Sequence, residues 1–142
     1  MCKINQTTTS VTTHTSLFTI CIKIQHFKID IMDYSKLLNG KVCIITGGAR
    51  GQGFQEATLF KQHGGIVYIT DILDGTDAAK SIGATYLKHD VTSESDWSDI
   101  VSKVASENGG RLDVLINNAG VFQKGNVLKE TKEGFERLNA IN

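Results

Sequence analysis

The chain of 142 residues contains no proline and carries no net charge, since 15 basic residues balance 15 acidic ones. A balanced charge gives no reason to expect binding to nucleic acid or to an acidic membrane surface. No apolar stretch approaches the roughly 20 residues that a membrane-spanning helix needs. Three cysteines cannot build a disulfide framework, and Cys43 lies in an apolar segment. We therefore expect a buried thiol, no metal site and a reducing, cytoplasmic compartment.

The first 31 residues differ from the rest of the chain. Residues 7–19 are rich in Thr and Ser, and isoleucines then recur at every second position, as in an extended segment. We interpret residues 1–31 as an unstructured or spurious Thr-rich extension and residues 32–142 as the folded domain. A secretory signal is not expected, because Lys23 interrupts the apolar stretch and no small-residue cleavage site follows it. Organelle targeting stays open, because no acidic residue precedes Asp30.

Apolar runs typical of strands alternate four times with amphipathic segments typical of helices. The alternation predicts an α/β fold with a doubly wound parallel sheet, right-handed crossovers and helices on both faces. The predicted strands are 42–45, 66–70, 84–88 and 112–116; the predicted helices are 52–63, 77–82, one capped by Thr92 or Ser93 that ends at Asn108, and one near Thr131.

Three glycines, Gly47, Gly51 and Gly53, follow the first predicted strand. The first allows a tight turn, the second lets the backbone approach a phosphate, and the third lets helix and strand pack closely. Backbone N–H groups at the start of the next helix can then hold a pyrophosphate. Arg50 lies in the same turn and either reaches a phosphate or is solvated. The turn predicts nucleotide binding, with a glycine turn required only by packing as the alternative.

Asp71 closes the second predicted strand, 20 residues after Gly51, where a carboxylate can accept hydrogen bonds from a ribose diol. At ~4 Å and an effective dielectric of ~20, its repulsion of a 2′-phosphate is on the order of 4 kcal/mol per charge pair. NAD is therefore favoured over NADP, although Arg50 argues mildly the other way.

Asp90 and Val91 follow the third strand. Asp90 either accepts from an adenine amino group, with Val91 packed on the ring, or helps to cap the next helix.

The segment Asn117-Asn118-Ala119-Gly120 ends the fourth predicted strand, at the edge of an open α/β sheet where ligands bind. Small side chains at 119 and 120 leave room for a ribose or a ring. Asparagine side chains can also tie adjacent strand ends together through their backbone. For Asn117 a purely structural turn remains the alternative.

These motifs resemble the classical short-chain dehydrogenase/reductase family. Residues 46–53 resemble its TGxxxGxG turn and residues 117–120 match its NNAG motif. The resemblance implies a partial Rossmann-type NAD(P)-binding domain of an NAD(H)-dependent oxidoreductase that acts on an alcohol or ketone, hydroxysteroids among them. It also implies that Asn142, 25 residues beyond Asn117, is the asparagine of the catalytic tetrad. The cofactor-binding residues are then Gly47, Arg50, Gly51, Gln52, Gly53, Asp71, Ile72, Asp90, Val91, Asn118, Ala119 and Gly120.

The family's catalytic serine and Tyr-x-x-x-Lys pair lie beyond the segment present here. None of Tyr34, Tyr68 and Tyr86 is followed four residues later by lysine. We therefore expect an N-terminal fragment or a truncated gene model, inactive alone, whose sheet ends after the fourth strand and its helix. The resemblance implies the sheet order 3-2-1-4. The resemblance implies a homo-oligomer for the complete enzyme and leaves assembly of the fragment in doubt.

Two alternatives remain. The first is a non-catalytic dinucleotide-binding module. The second is another doubly wound protein such as a methyltransferase, against which the 117–120 motif and the register of Asn142 both argue.

Overall fold

The fold is given by a computed structural model that describes residues 36–142, apart from the side chain of Val127. The predicted extension 1–31 and its boundary with the domain lie outside the described residues. A parallel sheet runs in the order β3-β2-β1-β4, as predicted. Its strands are β1 (Val42–Thr46), β2 (Ile66–Asp71), β3 (Thr85–Lys88) and β4 (Val114–Ile116). The helices are α1 (Gly51–Gln62), α2 (Thr76–Ile82), α3 (Glu94–Glu107) and α4 (Lys132–Ile141), with a 3-10 turn at Val127–Lys129.

The register of the sheet brings the carboxyl ends of its central strands side by side. Thr46 of β1 pairs with Thr70 of β2, and Ile45 pairs with Ile116 of β4. All five residues of β1 are buried, as expected for a parallel strand that is covered on both faces. The loops that follow these strands therefore converge at one edge of the sheet.

Two hydrophobic cores, one on each face, hold the helices against the sheet. On one face α1 and α2 contribute Ala57 and Ala79, and on the other α3 contributes Ile100 and Val104. Because successive strand residues point to opposite faces, β1 and β2 feed both cores in alternation. The strand residues of the first core are Cys43, Ile45, Val67 and Ile69, and those of the second are Val42, Ile44 and Tyr68.

Several predicted details were wrong. Helix α1 begins at Gly51 rather than residue 52, and Leu59, expected on its apolar face, is 50% exposed. Strand β4 begins at Val114 rather than at residue 112. The predicted apolar side of α4 is not buried, since Phe135 is 60% exposed and no residue of that helix is buried. Apolar periodicity finds a helix face but does not say whether a partner covers it.

Asp113 fastens β4 to β1 at the end of the sheet opposite the converging loops. Its Oδ2 accepts hydrogen bonds from the backbone N–H of Val42 at 2.9 Å and from Arg111 Nη2 at 2.8 Å. Its own N–H donates to the carbonyl of Val42 at 2.9 Å, and Lys41 Nζ lies 3.5 Å from Oδ1. The hydrogen bond from the Val42 N–H is the largest cause that holds the pKa of Asp113 below its ordinary value. The hydrogen bond and the charge of Arg111 lower that pKa further.

This lowered pKa makes a testable contribution to stability against acid. The stabilisation is fully present above the unfolded-state value, about 3.9, and is lost as pH falls through the lower folded-state value. We expect Asp113→Asn to lower the urea midpoint at pH 7, and the difference from the wild type to shrink below about pH 4. Asp99→Asn on the exposed side of α3 is the control that removes the same charge. A wild-type-to-D113N difference that stays constant between pH 7 and 3 would contradict the role of this carboxylate.

Candidate functional site

A cavity of about 760 Å³ opens where the carboxyl ends of the strands converge. Its walls come from the β1–α1 turn, the ends of β2, β3 and β4, and the last turns of α4. It brings together ten of the predicted residues: Gly47, Arg50, Gly51, Asp71, Ile72, Asp90, Val91, Asn118, Ala119 and Gly120. Seven further lining residues were not predicted: Leu73, His89, Thr92, Val121, Arg137, Ala140 and Ile141.

The β1–α1 turn requires glycine at three positions for different reasons. Gly47 has φ +65°, and a Cβ there would lie 2.8 Å from the Cα of Ala119. Gly51 has φ +60°, and a Cβ there would meet nothing within 4 Å, so the space in front of it is open. A Cβ on Gly53 would collide with the side chain of Asn118 and the carbonyl of Gly47. The turn therefore packs tightly where it meets the 117–120 segment, and it leaves free space on the side that faces the cavity.

Helix α1 begins at the cavity without a side-chain cap. The first N–H groups of an α-helix have no partner within the helix. Arg50, at the N-cap position, makes no capping bond, and the first turn has no acidic residue. By contrast, Ser93 and Thr131 cap α3 and α4 through their hydroxyl groups. The positive end of α1 is thus available to an anion in the cavity.

The carboxylate of Asp71 is fixed by two backbone donors. Its Oδ2 accepts from the N–H of Ala49 at 3.1 Å, and its Oδ1 accepts from the N–H of Leu73 at 3.0 Å. A carboxylate offers about four acceptor sites, so each oxygen keeps one for a further donor. Asp71 therefore lies in the cavity wall, oriented by the protein and able to accept from a pair of neighbouring hydroxyl groups.

Asp90 forms a local turn with the start of the β3–α3 connection. Its Oδ1 accepts from the N–H and the hydroxyl of Thr92, at 2.9 and 2.7 Å, and these bonds lower the pKa of Asp90. Ser93, not Asp90, caps α3, by accepting from the N–H of Asp96 at 3.2 Å. Of the two sequence-based alternatives, helix capping by Asp90 was therefore wrong. The carbonyl of its neighbour Val91 accepts from the Trp97 indole at 3.0 Å.

A junction of Thr46 and Asn118 ties the end of β4 to the end of β1. The buried hydroxyl of Thr46 accepts from the N–H groups of Asn118 and Ala119, both at 3.0 Å, and donates to the carbonyl of Ile116 at 3.3 Å. The amide of Asn118 donates to the carbonyls of Thr46 at 2.9 Å and Gly47 at 3.2 Å. The predicted tie between strand ends is confirmed for Asn118, whereas Asn117 is exposed.

Three predicted site residues do not line the main cavity. Gly53 is buried in the junction, and Gln52 donates from Nε2 to Glu56 at 3.0 Å on the exposed side of α1. Asn142 lines a second cavity of about 220 Å³ beside Thr46 and Asn117. Its amide pairs with the backbone of Val121, accepting at 2.9 Å and donating at 3.1 Å. Asn142 thus fastens the end of α4 to the loop after β4.

His89 is a buried wall residue that the sequence reasoning missed. Its side chain is 1% exposed, its Nδ1 lies 2.9 Å from the hydroxyl of Thr70, and its ring meets Trp97 edge to face at 4.4 Å between centroids. Its Nε2 has no hydrogen-bond partner among residues 36–142. Burial lowers the pKa of His89, against the opposing charges of Asp96 and Asp90. Only its place at the end of a strand, directly before Asp90, could have signalled it.

The Thr46 junction gives a stability prediction. Thr46→Val keeps the shape of the side chain but leaves the N–H groups of Asn118 and Ala119 without an acceptor. Because the site is buried, we expect a loss of about 1–3 kcal/mol in the free energy of unfolding, measured by urea titration. Thr58→Val is the matched control, since its hydroxyl makes one local bond to the carbonyl of Phe54. Equal losses in the two variants would contradict the junction's importance.

The buried histidine gives a pH prediction. A histidine whose folded-state pKa lies below its unfolded value of about 6.5 binds more protons when unfolded. Its contribution is therefore complete above about pH 6.5 and is lost as pH falls below that value. We expect the wild type to lose stability between pH 7.5 and 5.5, and His89→Gln to lose less over the same range, by urea denaturation. Parallel pH profiles in the two proteins would contradict this account.

The parallel sheet defines a Rossmann-type α/β protein, and its cavity lies at the carboxyl ends of the strands. A family model described as enoyl-(acyl carrier protein) reductase matches residues 47–142. Short-chain dehydrogenase reductase 4 of Arabidopsis thaliana is 43% identical over 113 residues, which cover 75% of this chain and 38% of that protein. Secoisolariciresinol dehydrogenase of Forsythia intermedia is 37% identical over 76% of this chain and 41% of its own length. The 3-beta-hydroxysteroid dehydrogenase of Comamonas testosteroni is 38% identical over 74% of this chain and 42% of its own.

The chain belongs to the short-chain dehydrogenase/reductase family, a family of oxidoreductases, and represents its N-terminal portion. It spans about two fifths of the length of the curated relatives it matches. No helix within residues 36–142 is long and apolar enough to cross a bilayer. The same residues contain no group of three or more His, Cys, Asp or Glu side chains that could hold a metal ion.

Proposed function

We propose that this chain is the cofactor-binding part of an NAD(H)-dependent oxidoreductase that acts on an alcohol or ketone. The observation that carries the proposal is the pairing, in one cavity wall, of the uncapped start of α1 with the oriented carboxylate of Asp71. The first fits a pyrophosphate and the second fits a ribose diol. Two relatives named as dehydrogenases, of secoisolariciresinol and of a 3-beta-hydroxysteroid, support an alcohol substrate.

Different residues of the cavity bind different parts of the proposed cofactor. The backbone from Gly47 to Gly53, with Arg50 beside it, holds the pyrophosphate. Asp71 accepts from the adenosine ribose, and its negative charge disfavours a 2′-phosphate, so NAD is preferred over NADP. The adenine lies against Ile72 and Val91, with Asp90 at its amino group. The remaining part of the cofactor passes the small residues that follow Asn118, namely Ala119 and Gly120.

The bound cofactor supplies hydride transfer, and the cavity residues bind and orient the cofactor. A proton-transferring tyrosine is not present in this cavity, whose lining contains none. Tyr68 donates to Glu107 at 2.8 Å, and Tyr86 donates to the carbonyl of Leu73 at 2.7 Å. Burial raises the pKa of both phenols, so less of each is present as phenolate at neutral pH. The proton step, the substrate pocket and any homo-oligomeric assembly therefore belong to the complete enzyme.

The tyrosine-free cavity favours a second candidate function for the chain acting alone, a non-catalytic dinucleotide-binding module. Both candidates require NAD binding, and they differ in whether turnover follows once the family's Ser and Tyr-x-x-x-Lys segment is supplied. Asn142, fixed to Val121, would keep its proposed place in the catalytic tetrad only in the first case. A cytoplasmic setting fits both, because Cys43 is a buried free thiol.

The proposed cofactor preference can be tested by calorimetric titration of the full chain with NAD⁺ and with NADP⁺. We expect NAD⁺ to bind more tightly, and Asp71→Asn to lower the NAD⁺/NADP⁺ affinity ratio at least tenfold, because it removes the repelling charge. Asp77→Asn, an exposed carboxylate on α2 outside the cavity, should leave the ratio unchanged. A wild-type chain that binds neither dinucleotide would refute the function, and an unchanged ratio in D71N would refute the role of Asp71.

A further inference from the structure

We propose that Arg137 is a cofactor-contacting residue whose guanidinium stacks on the adenine base and closes the adenosine end of the cavity from the α4 side. The inference rests on the proposed dinucleotide function and assigns that site a further positioning residue. Arg137 lies in α4, far along the chain from the β1–α1 turn and from Asp71.

The last turns of α4 present one face to the cavity. Arg137, Ala140 and Ile141 are spaced three and four residues apart and all line it, as expected of neighbours on one helix face. Val91, Ala119 and Ile141 line both cavities, which places this face of α4 beside Val91 and beside the segment that follows Asn118, at the Val91 end of the main cavity. That end is the one assigned to adenine above.

The wall at this end is apolar where a flat base would lie. Ile72 and Leu73 line the cavity yet remain 62% and 42% exposed, so their apolar surfaces are free to contact a ligand. Ala140 contributes a small side chain from α4. A planar aromatic base fills such a slot by covering apolar surface that water now covers.

The guanidinium of Arg137 is a charged group in this part of the cavity that binds no other side chain of the described segment. This guanidinium makes no hydrogen bond or ion pair with any other residue of the described segment 36–142. Arg111, by contrast, is held by Asp113 and by the carbonyl of Gly40. The carboxylates of the cavity accept from groups other than Arg137, Asp71 from two backbone N–H groups and Asp90 from Thr92.

A guanidinium in this position suits a base better than it suits a phosphate. It is planar, delocalised and weakly hydrated, and it stacks on π systems. The phosphate end of the cavity already has the start of α1 and Arg50, whereas Arg137 reaches the cavity from the helix that faces Val91. The two cavity arginines therefore serve opposite ends of the ligand.

The experiment compares adenosine, which has no phosphate, with ADP-ribose, by calorimetry on the 142-residue chain at low and high salt. We expect Arg137→Gln to weaken both ligands about three- to tenfold and to do so equally at both salt concentrations. Arg137→Lys should recover only part of the lost affinity, because lysine restores the positive charge but not the planar group that stacks on the base. Lys124→Gln, which removes a cation from the loop before α4 outside the cavity, should change neither affinity.

Three results would overturn the inference while leaving the proposed function standing. The first is ADP-ribose binding with no measurable adenosine binding. The second is that R137Q loses affinity for ADP-ribose alone, that the loss is smaller at high salt, and that R137K restores the full affinity. That result would show that Arg137 forms an ion pair with a phosphate. The third is unchanged affinity for both ligands in R137Q. If the wild-type chain binds neither ligand, the proposed function and this inference fail together.

Discussion

The site depends on the junction at which the Thr46 hydroxyl and the Asn118 amide lock the ends of β1 and β4 together. The Asn118 amide occupies the space into which a side chain at residue 53 would project, and Ala119 does the same at residue 47. The glycine turn and the 117–120 segment are therefore one structural unit. Their residue types are set by mutual packing as much as by any ligand, because each leaves no room for a larger neighbour.

The same junction explains why α1 can begin without a cap. Its first turn is held in place by close packing of Gly53 under Asn118 rather than by a capping side chain. The N–H groups of that turn consequently stay free for an anion, at some expense in helix stability. Asp71 is organised in the opposite way, because Ala49 and Leu73 orient its carboxylate through backbone bonds. One wall thus combines an uncapped helix start with a carboxylate that the backbone orients.

Local pattern was sufficient to predict a parallel sheet and most of the cavity, because both follow from continuous apolar runs and from glycines that only a tight turn requires. The order of the strands was implied by the family resemblance rather than by local pattern. It failed where the outcome depends on partners distant in sequence. His89 becomes a buried wall residue only because Thr70 and Trp97 surround it. Arg137 joins the cavity only because α4 folds back over it, and the exposure of Phe135 depends on what covers α4, which periodicity does not encode.

The position of α4 links the cavity to the stability of the chain. No residue of this helix is buried, and its end is fastened to the loop after β4 through the paired bonds of Asn142 with Val121. A helix held by so little apolar contact opens at small free-energy cost. A ligand that touches both the β1–α1 turn and the α4 face binds only when α4 is docked, so its binding free energy adds to the docking of the helix. The cavity wall least stabilised by the protein is therefore the one that a bound dinucleotide would stabilise most.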